Sequence, residues 1–427
     1  MATQVDRKCI DSEPDFAALV AIDWGNNKHV WSAQSVATGV RERGELEARP
    51  ETVDTWITAY LARFPGRPIA VALEQKRGGL FYTLMKYDGV VLYPIHGASA
   101  KNFRAALYPS GAKDDPLDAD LLLDLLSQHR GHLRRINPDT VETRKLQLLV
   151  EKRRRLVDER TRQSNRLTDE LKMYYPQVLR WFDEVQSPLV AAFLKHWPTL
   201  QDAQRARPGT LRDFFHQHNC RNKERIEQRV TEIREAVAAT TDEAVLESAV
   251  MTVQMLLETI ACLNQGIQRF DCKIEEIMAI HPDASIFQSL PGAGAALSPR
   301  LVAAFGTDRE RFASAAEAAT VTGIAPVRER SGKSDRIHFR FTCSKFLRQT
   351  FHEWASHSIG QSDWARAYYQ QQRDKGAGHH AAVRALAFKW IRIVFRCWKD
   401  HTPYDEQKYL KALHSRGSKL AVALATA

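Results

Sequence analysis

Residues 141–175, VETRKLQLLVEKRRRLVDERTRQSNRLTDELKMYY, contain neither glycine nor proline. Leu146, Leu149, Val150, Leu156, Leu167 and Leu171 recur there at spacings that keep them near one face, which predicts a long amphipathic or coiled-coil helix. Such a helix divides the chain, and the texture differs on its two sides.

Before it, from residue 15 to about 95, short apolar runs alternate with turn signals. FAALVAID, HVWSAQSV and, after the Thr38-Gly39 turn, GVRERGELEA read as three successive strands of a meander. Val53, Trp56, Ile57 and Tyr60 predict a helix from Pro50 to about Arg63; PIAVALE reads as a strand, GGLFYTLMKY as a helix and GVVLYPI as a strand. Together these give an α/β domain with a mixed sheet. After the long helix, a proline-punctuated interlude (Pro176, Pro188, Pro198, Pro208) leads to a second long helical stretch from about Asn222 to Met278. Two such helices invite antiparallel pairing or dimerisation. From Ser285 glycine and proline return, and helices rich in Trp and Arg run to Trp398. The expected class is α/β plus all-α, with domains at 15–138, 139–280 and 281–402 and a tail at 403–427.

At 427 residues, the chain is long enough for two or three domains of ~150 residues, which excludes a small disulfide-stapled module. The six cysteines are scattered without C-x-x-C pairs or zinc spacing and read as reduced thiols. No run approaches the ~18 uninterrupted apolar residues of a membrane span, and MATQVDRKCIDSEPDF has no apolar signal core; a cytoplasmic protein without a membrane partner is expected. A formal charge of +10 favours polyanionic partners. The basic run Lys152, Arg153, Arg154, Arg155 reads first as a solvated helix face and second as a phosphate-tracking stripe.

Acidic residues stand where strands end. Asp23 closes the first apolar strand before Trp-Gly-Asn-Asn, and Glu74 closes PIAVALE. In SGAKDDPLDADLLLDLL, Asp115 and Asp118 are three residues apart at a helix start, with Pro116 suited to the first turn. Four clustered carboxylates repel one another unless a cation neutralises them, and hard oxygen ligands suit Mg²⁺ or Mn²⁺. Such ions activate a nucleophile and stabilise the leaving oxygen of a phosphodiester. Taken one at a time, each helix acid is equally a cap or a solvated group. Asp114 competes with Asp115 as the third acid, whereas Asp120 should point away and Asp124 lies too far along the helix.

Gly332-Lys333-Ser334 lacks the upstream glycine of a phosphate-binding loop, since Val327 stands there, so an ATPase is disfavoured. Ser331-Gly332 remains in a turn among Arg328, Arg330, Lys333, Arg336 and Arg340, either an ordinary turn serine or a hydroxyl whose phosphoryl adduct those cations stabilise. Leu290-Pro291-Gly292-Ala293-Gly294 is either a tight interhelical turn or a helix-hairpin-helix-like phosphate grip. Trp354, Trp364, Tyr368, Tyr369, Trp390 and Trp398 read as core.

In this order the pieces resemble one family, the DEDD-type transposases of the bacterial insertion sequences numbered one hundred and ten, bridge-RNA-guided recombinases. VAIDWGNNKHVWS, VALEQKRGGL and SGAKDDPLDADLL resemble its RuvC-like (RNase H-like) domain; LPGAGAALSPRLVAAFG, TGIAPVRERSGKSDRIHFRF and FLRQTFHEWA resemble its serine domain. The resemblance implies a recombinase that exchanges strands between an element end and a target DNA, guided by an element-encoded noncoding RNA. It implies Asp23, Glu74, Asp115 and Asp118 as catalytic metal ligands for Mg²⁺ or Mn²⁺ and Ser331 as nucleophile. It also implies a homo-oligomer, dimer or tetramer, with Lys113, Arg328, Arg330, Lys333, Arg336, Arg340, Lys345 and Arg348 holding nucleic-acid backbones. The chain departs from the family pattern at Cys343-Ser344, where many relatives carry Gly-Asn, and at Asp114, where Thr is common. The competing expectations are a RuvC-type metal nuclease whose C-terminal domain only binds nucleic acid, and a non-catalytic nucleic-acid-binding protein.

Overall fold

The computed structural model describes residues 14–74, 77–108, 115–332, 334–418 and 420. The chain divides into two compact units, Met1–Pro138 and Asp139–Ala427.

In the first unit, strands β1 (Ala18–Asp23), β2 (Lys28–Ser35) and β3 (Arg41–Glu47) form an antiparallel meander. Helix α1 (Pro50–Ala62) leads to β4 (Ile69–Leu73), and α2 (Gly79–Leu84) leads to β5 (Val90–Pro94). Both of these strands run parallel to β1, giving the sheet order β3-β2-β1-β4-β5. Helices α3 (Gly97–Leu107) and α4 (Asp115–His129) complete the unit, followed by a 3₁₀ turn at Arg130–His132. Strand β4 and strand β1 up to Ile22 are apolar because both faces of the sheet are covered. Ala18, Val20, Ile22, Val71 and Leu73 share one core with Val53 and Ile57 of α1; Leu19, Ala21, Ala70 and Ala72 share the other with Leu122 and Leu126 of α4. The edge strand β3, RERGELE, is charged and mostly exposed, which discourages pairing with another sheet edge.

The second unit is built on α5 (Val141–Tyr174). Four short helices follow, α6 (Val178–Trp181), α7 (Pro188–His196), α8 (Leu200–Arg205) and α9 (Pro208–Gln217), then α10 (Lys223–Glu235) and α11 (Glu243–Ile280). The sequence reading of one continuous helix from Asn222 to Met278 is corrected here, since the chain breaks between Glu235 and Glu243. The Thr240 hydroxyl accepts from the Asp242 amide and the Asp242 carboxylate accepts from the Ala244 amide, so two polar side chains cap a new helix where neither glycine nor proline marks a stop. Helices α5 and α11 lie antiparallel, with Arg153 against Asp271, Arg160 Nη1 donating to Asn264 at 3.1 Å, and Leu156 against Gly266. By length and composition α11 could also cross a membrane; here Leu256, Leu257, Ile260, Ile274 and Ile277 are buried in helical cores.

Two cores form in this unit. Leu167, Leu171 and Tyr174 of α5 join α6–α10 and the N-terminal half of α11 in one. Leu146 and Val150 join the C-terminal end of α11 in the other, with α12 (Ala284–Gln288), α13 (Gly294–Phe305), α14 (Ala315–Val321), α15 (Lys345–Ser358), α16 (Asp363–Asp374) and α17 (His379–Lys399). Helix α18 (Glu406–Ser415) packs beside it through Tyr409, Leu410 and Leu413. Trp354, Trp364, Trp390 and Trp398 are fully buried, as the sequence implied, and each indole N–H is satisfied, for example Trp398 by the Gly306 carbonyl at 2.7 Å and Trp390 by Ser358 Oγ at 2.8 Å. Between α14 and α15, β6 (Val327–Ser331) and β7 (Ser334–His338) form an antiparallel hairpin.

Gly292 has φ +76°, and a Cβ there would lie 2.7 Å from the backbone of His357 and Ser358. Gly292→Ala is expected to lower the unfolding free energy by about 2–5 kcal/mol in a denaturant titration, from left-handed strain plus overpacking. His281 is buried; its Nε2 lies 3.0 Å from Thr143 Oγ1 and its Nδ1 accepts from the Asp283 amide. Burial holds its pKa below the usual histidine value, so its contribution is present above the unfolded pKa of ~6.5 and is lost as pH falls below it. The stability gap between the wild-type chain and His281→Gln should therefore narrow from pH 7 to 5, by at most ~1.4 kcal/mol per pH unit.

Candidate functional site

The parallel pairing of β1 with β4 sets Ile22 beside Leu73, so Asp23 and Glu74 leave the sheet side by side at the same edge. They share a cleft of about 460 Å³ with Trp24, Gly25, Lys28, Val30, Gly97, Lys101, Arg104 and Asp118. The turn after β1 is tight, with the Gly25 amide donating to His29 Nδ1 at 3.3 Å. A Cβ on Gly25 would lie 2.2 Å from the Lys28 carbonyl oxygen, so glycine is required for the chain to turn back into β2. Burial lowers the pKa of His29, which favours the neutral ring that accepts this bond.

Helix α4 supplies the third carboxylate. Asp118 is buried and ion-paired with Arg104 of α3, whose Nε is buried and unpartnered among the described residues. The rival acids are engaged elsewhere. Asp120 accepts from Ser32 Oγ on β2 and pairs with Arg43 on β3, while Asp124 pairs with Arg41 at 2.6 Å. Asp114, Lys113 and the side chain of Asp115 lie outside the described residues, as does Lys333. Among the described residues no three metal-ligating groups stand close enough to hold an ion. Asp23, Glu74 and Asp118 nevertheless supply hard carboxylate oxygens to one cleft, a donor set whose chemistry suits Mg²⁺ or Mn²⁺. Sequence spacing gave no sign of Lys101 and Arg104 as neighbours of these acids, because only the return of α3 beneath the sheet edge brings them there.

In the second unit Ser331 ends β6 and pairs with Ser334 of β7, and Gly332 directly after it has φ +55°. It is exposed, and among the described residues no histidine or carboxylate is hydrogen-bonded to its hydroxyl. Arg328 and Arg330 both pair with Asp335 on β7, and Arg328 holds that carboxyl below its usual pKa. Arg336 and Lys345 are exposed; Arg348 Nη1 donates to the Arg340 carbonyl at 2.7 Å. Leu290–Gly294 forms a tight turn into α13, whose N-cap residue Ala293 offers no side-chain cap.

Comparison with known proteins places both halves of the chain. Residues 20–176 match the DEDD transposase domain of the IS110 family, and residues 284–370 match the transposase domain of the IS116/IS110/IS902 family. A Streptomyces coelicolor protein assigned as the transposase of the mini-circle IS117 is 25% identical over 93% of this chain and 97% of its own length. The uncharacterized 42 kDa protein of insertion element IS900 from Mycobacterium paratuberculosis is 27% identical over 82% of this chain and 87% of its own. The uncharacterized 44.8 kDa protein of insertion element IS116 from Streptomyces clavuligerus is 25% identical over 78% and 82%. With the two domains present in order and similarity running across most of its length, the chain belongs to the IS110 family of insertion-element transposases.

Proposed function

We propose that this transposase exchanges DNA strands through two chemical centres, the acid cleft of the first unit and Ser331 of the second, with target choice set by pairing to a noncoding RNA. The observation that carries the reading is the meeting of Asp23, Glu74 and Asp118 in one cleft at the C-terminal edge of a parallel strand pair. A three-strand meander followed by two parallel strands, in the order β3-β2-β1-β4-β5, supports a RuvC-like (RNase H-like) fold for this unit. The motif positions support the serine-domain reading of the second.

Asp23, Glu74 and Asp118, with Asp115, would hold one or two Mg²⁺ or Mn²⁺ ions, which lower the pKa of a bound nucleophile and neutralise charge on a phosphodiester. Lys101 and Arg104 line the same cleft and are placed to meet a phosphate, and Lys28 lines it with its ammonium paired to Glu45 at 2.8 Å. Arg104 neutralises Asp118 until a phosphate or a divalent ion competes for that pairing. In the covalent step Ser331 Oγ attacks phosphorus and the bond from phosphorus to one deoxyribose oxygen breaks. The serine proton passes to solvent and the leaving oxygen takes one up. The hydroxyl of the incoming strand then attacks the phosphoserine, forms the new phosphodiester and releases Ser331. Base pairing with RNA would leave the protein to grip backbones, which a modest excess of ten positive charges fits.

Two measurements test this reading. With the gene and its native flanks expressed, amplification across the recombinant junction should give product with the wild-type chain and none, to within at least about a hundredfold, with Ser331→Ala or Asp23→Asn at matched protein level. Junctions that persist in Ser331→Ala would make Ser331 a turn residue, and junctions that persist in Asp23→Asn would remove the metal assignment. Independently of activity, Mn²⁺ added to a chelator-treated preparation should raise the thermal unfolding midpoint of the wild-type chain by several degrees and leave an Asp23→Asn/Glu74→Gln double variant unmoved.

A further inference from the structure

We propose that Phe339 and Phe341, at the base of the hairpin whose tip carries Ser331, form a stacking platform for an unstacked base of a single nucleic-acid strand. The inference rests on the nucleic-acid reading above and names what this surface holds. Ile337, Phe339 and Phe341 occupy alternate positions and are 69%, 41% and 66% exposed. Apolar side chains of this size gain ~1.5–3 kcal/mol each when buried, so two rings in contact with each other and left in water mark a surface with an occupant.

The chemistry around them selects the occupant. From Arg336 to Arg348 the sequence RIHFRFTCSKFLR holds four cations and no aspartate or glutamate. The rings of Phe339 and Phe341 stand 4.3 Å apart between centroids, and the guanidinium groups of Arg348 and Arg384 lie 5.3 and 5.7 Å from the Phe339 ring. Phe339 is thereby held beside two cations, while Phe341, which also meets the His338 ring at 5.6 Å between centroids, remains mostly exposed. A protein partner of matching chemistry would have to be both apolar and acidic over this short span. A nucleic-acid strand supplies both parts at once, with a flat π-face for the ring and phosphates for Arg336, Arg340 and Lys345.

The hairpin bounds where that base lies. Ser331 pairs with Ser334 and Val327 with His338, where β7 ends, so Phe341, seven residues beyond Ser334, is at most ~23 Å from it at ~3.3 Å per residue. At ~3.4 Å per nucleotide the stacked base lies within about seven nucleotides of a phosphate at Ser331. A base held there is one removed from its duplex neighbours, as strand exchange requires.

The test uses the full-length chain and fluorescence anisotropy with three labelled probes, a thymidine oligodeoxynucleotide, a uridine oligoribonucleotide and a duplex DNA of equal length. Phe341→Leu keeps an apolar side chain and removes the π-face. It should bind the single strands roughly 5- to 150-fold more weakly and the duplex within about twofold of wild type, with the slope of log affinity against log salt unchanged. Phe341→Trp should restore single-strand affinity. Arg340→Ala, by contrast, should reduce the salt slope by about one on all probes. Loss confined to the thymidine probe assigns a DNA strand, and loss confined to the uridine probe assigns RNA; both support the platform. Phe341→Leu binding single strands as tightly as the wild-type chain, or losing duplex and single strand alike, overturns it. If the wild-type chain binds none of the probes at low salt, the nucleic-acid reading of the hairpin fails first and the platform with it.

Discussion

Strand β1 is the member on which the first unit depends, because it pairs with neighbours of opposite sense. On one side β2 returns antiparallel through a turn that only glycine at position 25 permits; on the other β4 runs parallel after a helical crossover. The parallel side is what matters chemically. In an antiparallel pair Asp23 and a β4 terminal acid would stand at opposite ends of the sheet, whereas parallel pairing sets Asp23 beside Glu74. The cost of closely spaced negative charges is met by cations on the elements that close the cleft. Arg104 holds Asp118, while Arg43 and Arg41 hold Asp120 and Asp124, two and six residues further along α4. The same helix thus offers one carboxylate to the cleft and ties two others to the edge of the sheet.

The second unit uses the α5–α11 pair as its frame. Two cores are hung on it, one near each end, and between them the pair is held by Arg153 with Asp271, Arg160 with Asn264 and the close approach of Leu156 to Gly266. At the α13 end the frame is locked by buried polar groups. Asp139 accepts from the Thr307 amide at 3.0 Å, His281 meets Thr143, and Asp283 takes two hydrogen bonds from Arg309, at 2.6 and 2.7 Å. Each of these would be costly if left half made, so together they specify one arrangement of helix ends.

Much of this was legible in the residues. The five strands and the first two helices were readable because β1 and β4 are continuous apolar runs, and α1 repeats its apolar residues at helical spacing. Asp23 and Glu74 were readable as strand-end acids, since an acid directly after a buried run must emerge from the sheet. The break before α11 was not, because AVAATT carries no backbone breaker and the stop is made by hydroxyl and carboxylate caps that compete with the helix only locally. Lys101 and Arg104 were not legible either, as their position beside the acids depends on how α3 folds back. The exposed rings of Phe339 and Phe341 escaped notice because alternating aromatics ordinarily read as one face of a strand turned to a core, whereas β7 ends at His338 and both rings follow it.

The distance in sequence between the two frame helices also bears on how the chain is made. Thr143 and His281 touch across a separation of 138 residues, and α11 begins only at Glu243, well after α5 ends at Tyr174. At a synthesis rate of ~5–20 residues per second, α5 leaves the ribosome several seconds before the helix that covers its leucines. During that interval the helix must remain soluble by its own composition. The arginine, lysine and glutamate that crowd residues 151–162 therefore serve the growing polypeptide as much as the folded one, keeping an unpaired leucine stripe from meeting the wrong surface before its partner exists.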